Sequence, residues 1–458
     1  MSYPPDRIRS AYPGLVWPAV PPDSGALALA LQFQLSRTQW LPAAALRTNQ
    51  FHQLRGLLAH AHASVPFYRE RLAAAGYQSG APVAEDWFAT LPVLTREEVH
   101  LQGPALHARR VPEGHAPVES GQTSGSTGSP ITFLTTQVTR LFWQAFNLRD
   151  QFWHGRDLGL KFAAIRPDRG VRGDRGVTLP GWGPAITAAY RGAPAALLHS
   201  ANTLDRQIEW LVREDPDYLL TLATNLLELA RELRRRGVRL SRLREAHTYG
   251  EALSAQARAE CRDLLGVKVV DMYTAQEAGY IALQCPDHDH YHVQSEGVIV
   301  EILDDARRPC APGESGRVVL TTLHNYAMPL IRYEIGDYAE AGAACPCGRG
   351  LPVIGRILGR ERNLALTPDG RKFSPSFPAE TWMDIAPIRQ IQLVQKTRRL
   401  IEVRVATPRQ LTSAEEKAIG AALRHALGYP YQIAVVCLDR IPRSPGGKYE
   451  DFISEVAD

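Results

Sequence analysis

The chain of 458 residues has no long apolar run. Its most apolar early segment, residues 26–35, is interrupted by Gln32 and Gln34, whereas a bilayer-spanning helix needs about 20 consecutive apolar residues. The first residues also lack the basic start and apolar stretch of a secretion signal. We therefore expect a cytoplasmic protein without a membrane partner.

Lysine and cysteine are both scarce. Only six of the 52 basic residues are lysine, the formal net charge is +4, and the longest basic run is Arg234 to Arg236. A dedicated nucleic-acid binder carries a stronger basic patch, so no nucleic-acid partner is expected. Six cysteines in so long a chain do not form a disulfide framework. In a reducing compartment they are metal ligands, catalytic groups or buried side chains.

The chain also lacks the Gly-Lys-Ser/Thr ending of a Walker phosphate loop. It does contain GQTSGSTGSP, from Gly121 to Pro130, which is rich in glycine and hydroxyl side chains. Gly125 and Gly128 let the backbone approach a ligand closely, and successive N–H groups in such a turn form an anion site. By itself the stretch is either a phosphate-binding loop or a flexible linker.

Hydrophobic spacing predicts an α/β fold for the larger part of the chain. Residues 26–76 have helical spacing with a break at Pro66, and residues 136–153 form an amphipathic helix rich in aromatic side chains. Helices and short strands then alternate from residue 203 to 265, which is typical of an α/β layer. The segments GVIVEIL and GRVVLTTL have strand composition and predict an antiparallel β subdomain.

A second, smaller domain is predicted after a glycine-rich junction. We expect a large N-terminal domain over residues 1–358 and a small, mobile α+β domain over residues 359–458. The small domain contains a strand pair within residues 389–405 and a helix that ends near Leu427. That helix opens with a capping box formed by Thr412 or Ser413 with the acids three residues later.

Four further stretches carry a charged residue that is either a solvated loop residue or a ligand contact. Glu277 lies in YTAQEAG after the strand-like KVVDM, where α/β proteins place ligand groups. Asp337 ends IRYEIGD and can accept two ribose hydroxyls, and Arg360 lies in GRERN at the domain junction. Lys448 follows two glycines in RIPRSPGGKYEDF, where a compact ammonium suits a point contact to phosphate or carboxylate.

Taken in order, these stretches resemble the adenylate-forming superfamily, which activates carboxylic acids with ATP. Within it the chain is similar to the phenylacetate–CoA ligase family, nearly from end to end. The shared segments are LLAHAHASVPFYRERL, LPVLTREEV, TSGSTGSP, YTAQEAG, AMPLIRYEIGD, CPCGRGLPVIGRILGR, GRKFSPS and GGK.

The resemblance implies an AMP-forming acid–thiol ligase. A small carboxylic acid, aryl or arylacetic, would be activated by ATP and Mg²⁺ to an acyl adenylate and then transferred to coenzyme A. Transfer to an amine or a carrier protein, and a degenerate subunit without catalysis, are the alternatives. The assembly is left open, with a homodimer as one expectation.

The same resemblance assigns a nucleotide site. The phosphates of ATP would be held by the loop of Thr123, Ser124, Gly125, Ser126, Thr127 and Gly128. Gly250 and Glu251 match the segment that lines the adenine, and Tyr273 stacks near it.

Charged residues complete the implied site. Glu277 would bind Mg²⁺, Asp337 the ribose hydroxyls, and Arg360 ribose or phosphate. Lys448 would bridge the attacking carboxylate and the α-phosphate. A metal ion and a lysine at the developing charge lower the barrier to the approach of two anions.

Five positions depart from the family pattern. The family has glycine where Thr274 stands, a hydroxyl residue where Gln276 stands, and a basic residue where Glu334 stands. The paired acids expected after Gly-Arg are replaced by Arg362 and Asn363. The hinge residue of the superfamily maps to Arg362, so this departure bears on the domain rotation that follows adenylation.

Three cysteines and one histidine in the large domain are candidate zinc ligands. Cys345 and Cys347 form a Cys-x-Cys turn, and Cys285 opens CPDHDHYHV. Three thiolates and one imidazole can close a tetrahedral structural zinc site. Resembled members with such a site have the histidine seven residues after the first cysteine, which indicates His292, with His288 as the alternative. Reduced cysteines beside a surface histidine cluster are the other interpretation.

The sequence contains only weak signals for the pocket that would bind the carboxylic acid. The aromatic helix at 142–153 and the segment 195–202 are candidate walls. An aromatic stripe at helical spacing is, however, more often part of a core. The identity of the acid is not predicted.

Overall fold

A computed structural model describes residues 7–123, 130–168, 170–171, 173–375, 377, 382, 384–441 and 450–456. The chain divides into two units, one of Met1–Leu253 with Ala257–Ile357 and one of Ser254–Gln256 with Leu358–Asp458. The boundary predicted between residues 358 and 359 differs from this division by one residue.

Most of the helices in the described part of the chain lie in the first unit. They are α1 (Asp23–Thr38), α2 (Ala43–Ser64), α3 (Pro66–Ala74), α4 (Glu85–Thr90), α5 (Arg96–Gln102), α6 (Gln137–Trp153), α7 (Pro184–Thr187), α8 (Leu204–Glu214), α9 (Ala223–Arg235), α10 (Ala255–Leu265) and α11 (Ser413–Leu427). No helix in the described part of the chain is long and apolar enough to pass through a membrane.

Strands alternate with these helices. They are β1 (Val118–Gln122), β2 (Thr132–Thr136), β3 (Phe162–Arg166), β4 (Val177–Leu179), β5 (Ala195–His199), β6 (Tyr218–Leu222), β7 (Glu245–Tyr249), β8 (Lys268–Ala275), β9 (Gly279–Gln284), β10 (Tyr291–Val293), β11 (Val298–Leu303), β12 (Ser315–Thr322), β13 (Tyr333–Ala341), β14 (Val353–Arg360), β15 (Ala365–Leu366), β16 (Lys372–Phe373), β17 (Gln390–Gln395), β18 (Leu400–Ala406), β19 (Gln432–Leu438) and β20 (Phe452–Ser454).

One sheet of 12 strands organises the first unit, in the order β11-β12-β13-β14-β10-β9-β8-β7-β6-β3-β5-β4. The run β5-β3-β6-β7-β8 is parallel. Successive strands of the chain are added to one side of this run before β6 and to the other side from β6 onward, so the strand order reverses between β3 and β6. At such a point α/β proteins bind ligands outside the carboxyl ends of the strands. β8 pairs antiparallel with β9, so the predicted antiparallel strands continue the same sheet.

The helical segment predicted at 26–76 has a second interruption besides Pro66. α1 ends at Thr38 and α2 begins at Ala43, with Pro42 in the gap. The backbone N–H of Gly350 donates to the carbonyl of Gln39 at 3.0 Å. A Cβ at Gly350 would lie 1.8 Å from the Leu41 oxygen, so this close approach requires glycine.

The second unit has a four-stranded sheet in the order β19-β18-β17-β20. The predicted strand pair is formed by β17 and β18, which are antiparallel. α11 begins at the predicted capping box, where Thr412 and Glu415 bond reciprocally, and ends at Gly428 with φ of 65°. The predicted α/β class with a small α+β unit is confirmed.

Candidate active site and metal centre

The carboxyl ends of β7 and β8 present several of the predicted residues. Gly250 follows β7 with φ of 70°, a conformation that glycine adopts without strain. The Glu251 carboxylate accepts from the backbone N–H of Thr224 at 2.9 Å and from its hydroxyl at 2.8 Å. Thr224 lies in the first turn of α9, so Glu251 satisfies a helix N-terminus and orients the loop after β7.

Tyr273 and Asp337 are in direct contact. The Tyr273 hydroxyl donates to Asp337 Oδ2 at 2.7 Å, and both side chains are buried. Three strands lie between β8 and β13 in the sheet order, so the contact requires the sheet to curl back on itself here. A phenol that donates to a carboxylate fixes the direction of that carboxylate.

Glu277 belongs to a row of polar side chains that contact one another. Its Oε1 lies 3.5 Å from the Tyr333 hydroxyl and 3.9 Å from Arg96 Nη1. Nη2 of Arg96 donates to the Thr123 hydroxyl oxygen at 3.3 Å. The predicted acid and the first residue of the predicted phosphate loop are thus joined through Arg96, a residue that we did not single out from the sequence.

The position of Arg96 is set by a long-range backbone contact. Leu94 donates its N–H to the Arg332 carbonyl at 2.8 Å and accepts from the Glu334 N–H at 2.9 Å. Thr95 then caps α5 with a reciprocal bond to Glu98, so Arg96 is the first helical residue. A basic residue directly after a helix cap in LPVLTREEV was the available signal, and it is weak.

Arg332 has an unusual backbone conformation beside this contact. Its φ is 48°, which is uncommon for a side chain other than glycine. Its guanidinium is buried and donates to both oxygens of Glu301, at 3.1 and 3.0 Å. This ion pair holds the side chain of the residue that directly precedes Tyr333.

Several predicted residues lie outside the described part of the chain. Among them are Lys448 and five of the loop residues, namely Ser124, Gly125, Ser126, Thr127 and Gly128. Thr123 is described, and its hydroxyl accepts from the Ile131 N–H at 2.9 Å. Arg360 is the last residue of β14 and is half-buried.

Of the departures from the family pattern, Glu334 has a cross-strand partner. Its Oε1 accepts from Arg317 Nη1 of β12 at 3.1 Å. The acid that replaces a basic residue is therefore matched by an arginine nearby in the same unit.

The aromatic helix α6 divides between core and surface. Phe146 and Trp153 are buried in the core cluster that also contains Tyr280. Trp143 is 41% exposed and lies 4.6 Å from the Tyr280 ring. Trp143 faces Gly279 in the turn after Glu277, since a Cβ at Gly279 would be 3.9 Å from the indole. The stripe is thus mostly core, with one aromatic face beside the candidate site.

The predicted zinc ligands are brought together by the structure. The donor atoms of Cys285, His292, Cys345 and Cys347 all lie within 4.8 Å of one another. Cys285 Sγ is 3.8 Å from Cys345 Sγ, and Cys347 Sγ is 3.4 Å from His292 Nε2. All of these cysteines are free thiols.

These separations fit a tetrahedral metal. Zn–S bonds of 2.3 Å and Zn–N bonds of about 2.0 Å imply S···S edges of about 3.8 Å and S···N edges of about 3.5 Å. Burial lowers the pKa of His292 to about 4, so the ring is neutral at physiological pH and can serve as a ligand. Burial also raises the pKa of the Cys345 thiol to about 12, a shift that a bound cation would oppose.

The other histidines and cysteines stay apart from this group. His288 stacks on His290 with ring centroids 5.1 Å apart and does not join the cluster. Cys261, Cys310 and Cys437 are likewise outside it. Within the described residues, His292 is therefore the histidine that the cluster offers.

Comparison with known structures defines the class of the fold. A 2-hydroxyisobutyryl-CoA ligase, solved in the postadenylation state with 2-HIB-AMP, superposes with a TM-score of 0.72 over 92% of both chains at 20% identity. An anthranilate CoA ligase solved with anthranoyl-AMP gives a TM-score of 0.53 over 72% of this chain and 64% of that one, at 16% identity. The chain has the fold of the adenylate-forming CoA ligases.

Sequence comparison narrows the class. The phenylacetate-coenzyme A ligase of Pseudomonas putida is 26% identical over 341 residues, 70% of this chain and 72% of the relative. The Escherichia coli K12 enzyme of the same name is 24% identical over 432 residues, 88% of this chain and 93% of the relative. No protein-family model matches the chain. The chain is similar to the phenylacetate–coenzyme A ligases over most of its length, and the predicted resemblance is confirmed.

Proposed function

We propose that this chain is an AMP-forming acid–CoA ligase. A carboxylic acid displaces pyrophosphate from ATP to give an acyl adenylate, and the thiol of coenzyme A then displaces AMP to give a thioester. The contact network that joins Thr123, Arg96 and Glu277 carries this proposal. In this network a cation contacts the residue from which the predicted phosphate loop begins, and an acid lies on the other side of that cation.

Each residue of the network has a role in the first half-reaction. Asp337, oriented by Tyr273, would accept the ribose hydroxyls. Glu277 would hold Mg²⁺, which supplies charge neutralisation at the phosphates when bound. The Arg96 guanidinium would bind phosphate oxygens, since its donors suit oxyanions. Gly250, Glu251, Arg360 and the loop from Ser124 to Gly128 remain the proposed contacts to adenine, ribose and phosphates.

The acid is proposed to be aryl or arylacetic. The half-exposed face of Trp143 and the neighbouring Tyr280 form an aromatic wall next to the turn that contains Glu277. Offset stacking on such a wall contributes roughly 0.5–1.5 kcal/mol beyond the burial of area.

Acid-dependent exchange of labelled pyrophosphate into ATP tests the proposal. We expect exchange with at least one member of a panel of aryl and arylacetic acids, and a CoA thioester when CoA is added. Exchange without any thioester would instead indicate an amine or a carrier protein as the acceptor. If no acid supports exchange, the chain is a non-catalytic ligase-like subunit and the proposed function is wrong.

We further propose that Cys285, His292, Cys345 and Cys347 bind one structural Zn²⁺. The four donors leave no open position for a substrate, which is typical of structural rather than catalytic zinc. The metal would fix the turn from Cys345 to Gly350. Arg349 in that turn donates to Gln39 Oε1 at 3.1 Å, so the fixed turn would also hold the α1–α2 junction.

Protein purified without chelator is expected to contain about one zinc ion per chain. Cys345→Ser should lose the metal and lower Tm by about 3 °C, the shift that corresponds to about 2 kcal/mol in a unit of about 350 residues. Cys310→Ser is the matched control, because Cys310 is outside the cluster. Elemental analysis and thermal unfolding report the result. A metal-free wild type, or equal effects of the two substitutions, would rule the site out.

Other predictions stay open. Cytoplasmic location, a homodimer, and the absence of nucleic-acid and membrane partners remain expectations from the sequence. The residues 1–358 are proposed as the adenylation domain, and residues 359–458 as the mobile domain that carries Lys448.

A further inference from the structure

The turn that follows Arg360 is fixed to the last part of the C-terminal unit. Arg362 lies in a single 3₁₀ turn, Glu361–Asn363. Its Nε donates to Glu450 Oε1 at 3.0 Å, and its Nη2 lies 2.7 and 2.8 Å from the two oxygens of the same carboxylate. This two-pronged geometry makes an arginine–carboxylate contact strong and directional.

Two neighbouring side-chain amides also donate hydrogen bonds to Glu450. Asn363 Nδ2 donates to Glu450 Oε1 at 3.3 Å and to the Phe452 carbonyl at 2.7 Å. Gln392 Nε2 donates to the Glu450 carbonyl at 2.7 Å. The 3₁₀ turn and the start of β20, separated by 88 positions at the Arg362–Glu450 contact, therefore form one connected piece.

The charges in this contact differ from those that the family resemblance predicts. Acids at the positions of Arg362 and Asn363 would face the Glu450 carboxylate and repel it. Arg362 attracts it instead, with side chains that are only 32% and 20% exposed. Partial burial reduces the screening of this pair by salt.

We propose that Arg362 is a positioning residue for adenylation, acting through Glu450. This inference rests on the proposed function, in which Lys448 serves the first half-reaction. Glu450 is two residues after Lys448 in the sequence. The pair thus connects Glu450, which lies close to the lysine in the sequence, to the turn at the proposed hinge.

Arg362→Ala is expected to lower acid-dependent ATP–pyrophosphate exchange about five- to thirtyfold, which corresponds to a rise of about 1–2 kcal/mol in the barrier. Thioester formation from a pre-made acyl adenylate and CoA should fall by a smaller factor than exchange does. The reversed pair, Arg362→Glu with Glu450→Arg, should recover much of the exchange. Arg409→Ala is the matched control, since Arg409 makes a two-pronged contact to Glu415 in the same unit, at 2.9 and 2.6 Å.

Tryptic cleavage after Lys448, followed by mass spectrometry, reports on the same contact without any enzyme assay. Cleavage should be several times faster in Arg362→Ala than in wild type or Arg409→Ala. Unchanged cleavage, or an equal loss of both half-reactions, overturns the inference, because Arg362 would then only stabilise the unit. A wild type that exchanges with no acid refutes the proposed function, whereas faster cleavage in that case would still support the contact between the two segments.

Discussion

Replacement of Lys448 by alanine is expected to slow adenylation by about 10²- to 10³-fold, as the loss of one preorganised charge donor does. The reason is that the attacking carboxylate and the α-phosphate are both anionic, and a lysine between them lowers the barrier. With a pre-made acyl adenylate and CoA, the same variant should form thioester near the wild-type rate. Separate assays of the two half-reactions measure this split.

Two further variants sharpen the Lys448 experiment. Lys448→Arg should not restore adenylation, because a planar guanidinium cannot take the place of a compact ammonium. Lys417→Ala, which removes an exposed lysine of α11, should leave both half-reactions unchanged. Normal adenylation by Lys448→Ala would remove the lysine from the mechanism. Equal losses in both halves would mean that it maintains the unit instead.

Glu277→Gln is expected to reduce exchange by about 10²- to 10³-fold. Metal ions supply several kcal/mol of charge stabilisation in such reactions, and each 1.36 kcal/mol corresponds to about tenfold in rate. Because the amide keeps the shape but loses the charge, the variant should also need much more Mg²⁺ for half-maximal rate. A titration of exchange rate against Mg²⁺ measures both effects.

The matched control for Glu277 is Glu260→Gln. Glu260 pairs with Arg231 at 2.6 and 2.8 Å on the helical side of the same unit. The Glu260→Gln variant loses the same charge, and its ion pair is closer than that of Glu277 with Arg96. Its activity should nevertheless not change. A Glu277→Gln enzyme with wild-type Mg²⁺ dependence would show that this acid is not a metal ligand.

The parts of the fold that depend on local signals were predictable. α11 begins at the residue where Thr412 and Glu415 form a capping box, since both partners lie within one turn. The interruption between α1 and α2 was not predicted. Pro42, directly before α2, was a local signal for it that we overlooked in the helical spacing. The contact of Gly350 with Gln39, more than 300 positions away, was not visible in the sequence.

The candidate site likewise contains residues that could be predicted from the sequence and residues that could not. Cys285, Cys345 and Cys347 were found because donor type and the Cys-x-Cys turn are visible in the sequence, whereas His292 was preferred to His288 only through the family resemblance. Arg96 was missed because its place depends on the contact of Leu94 with Arg332 and Glu334, more than 230 positions away. Likewise, the residues of α6 could not be divided into core and surface from their spacing, and Trp143 is the exposed one.

The contact between Arg362 and Glu450 has a consequence for how this chain can have diverged from acid-bearing relatives. A single change at either position leaves two like charges face to face or one charge without its partner, and both intermediates cost stability. An acid at position 362 would therefore form an attractive contact only if position 450 also changed to a basic residue.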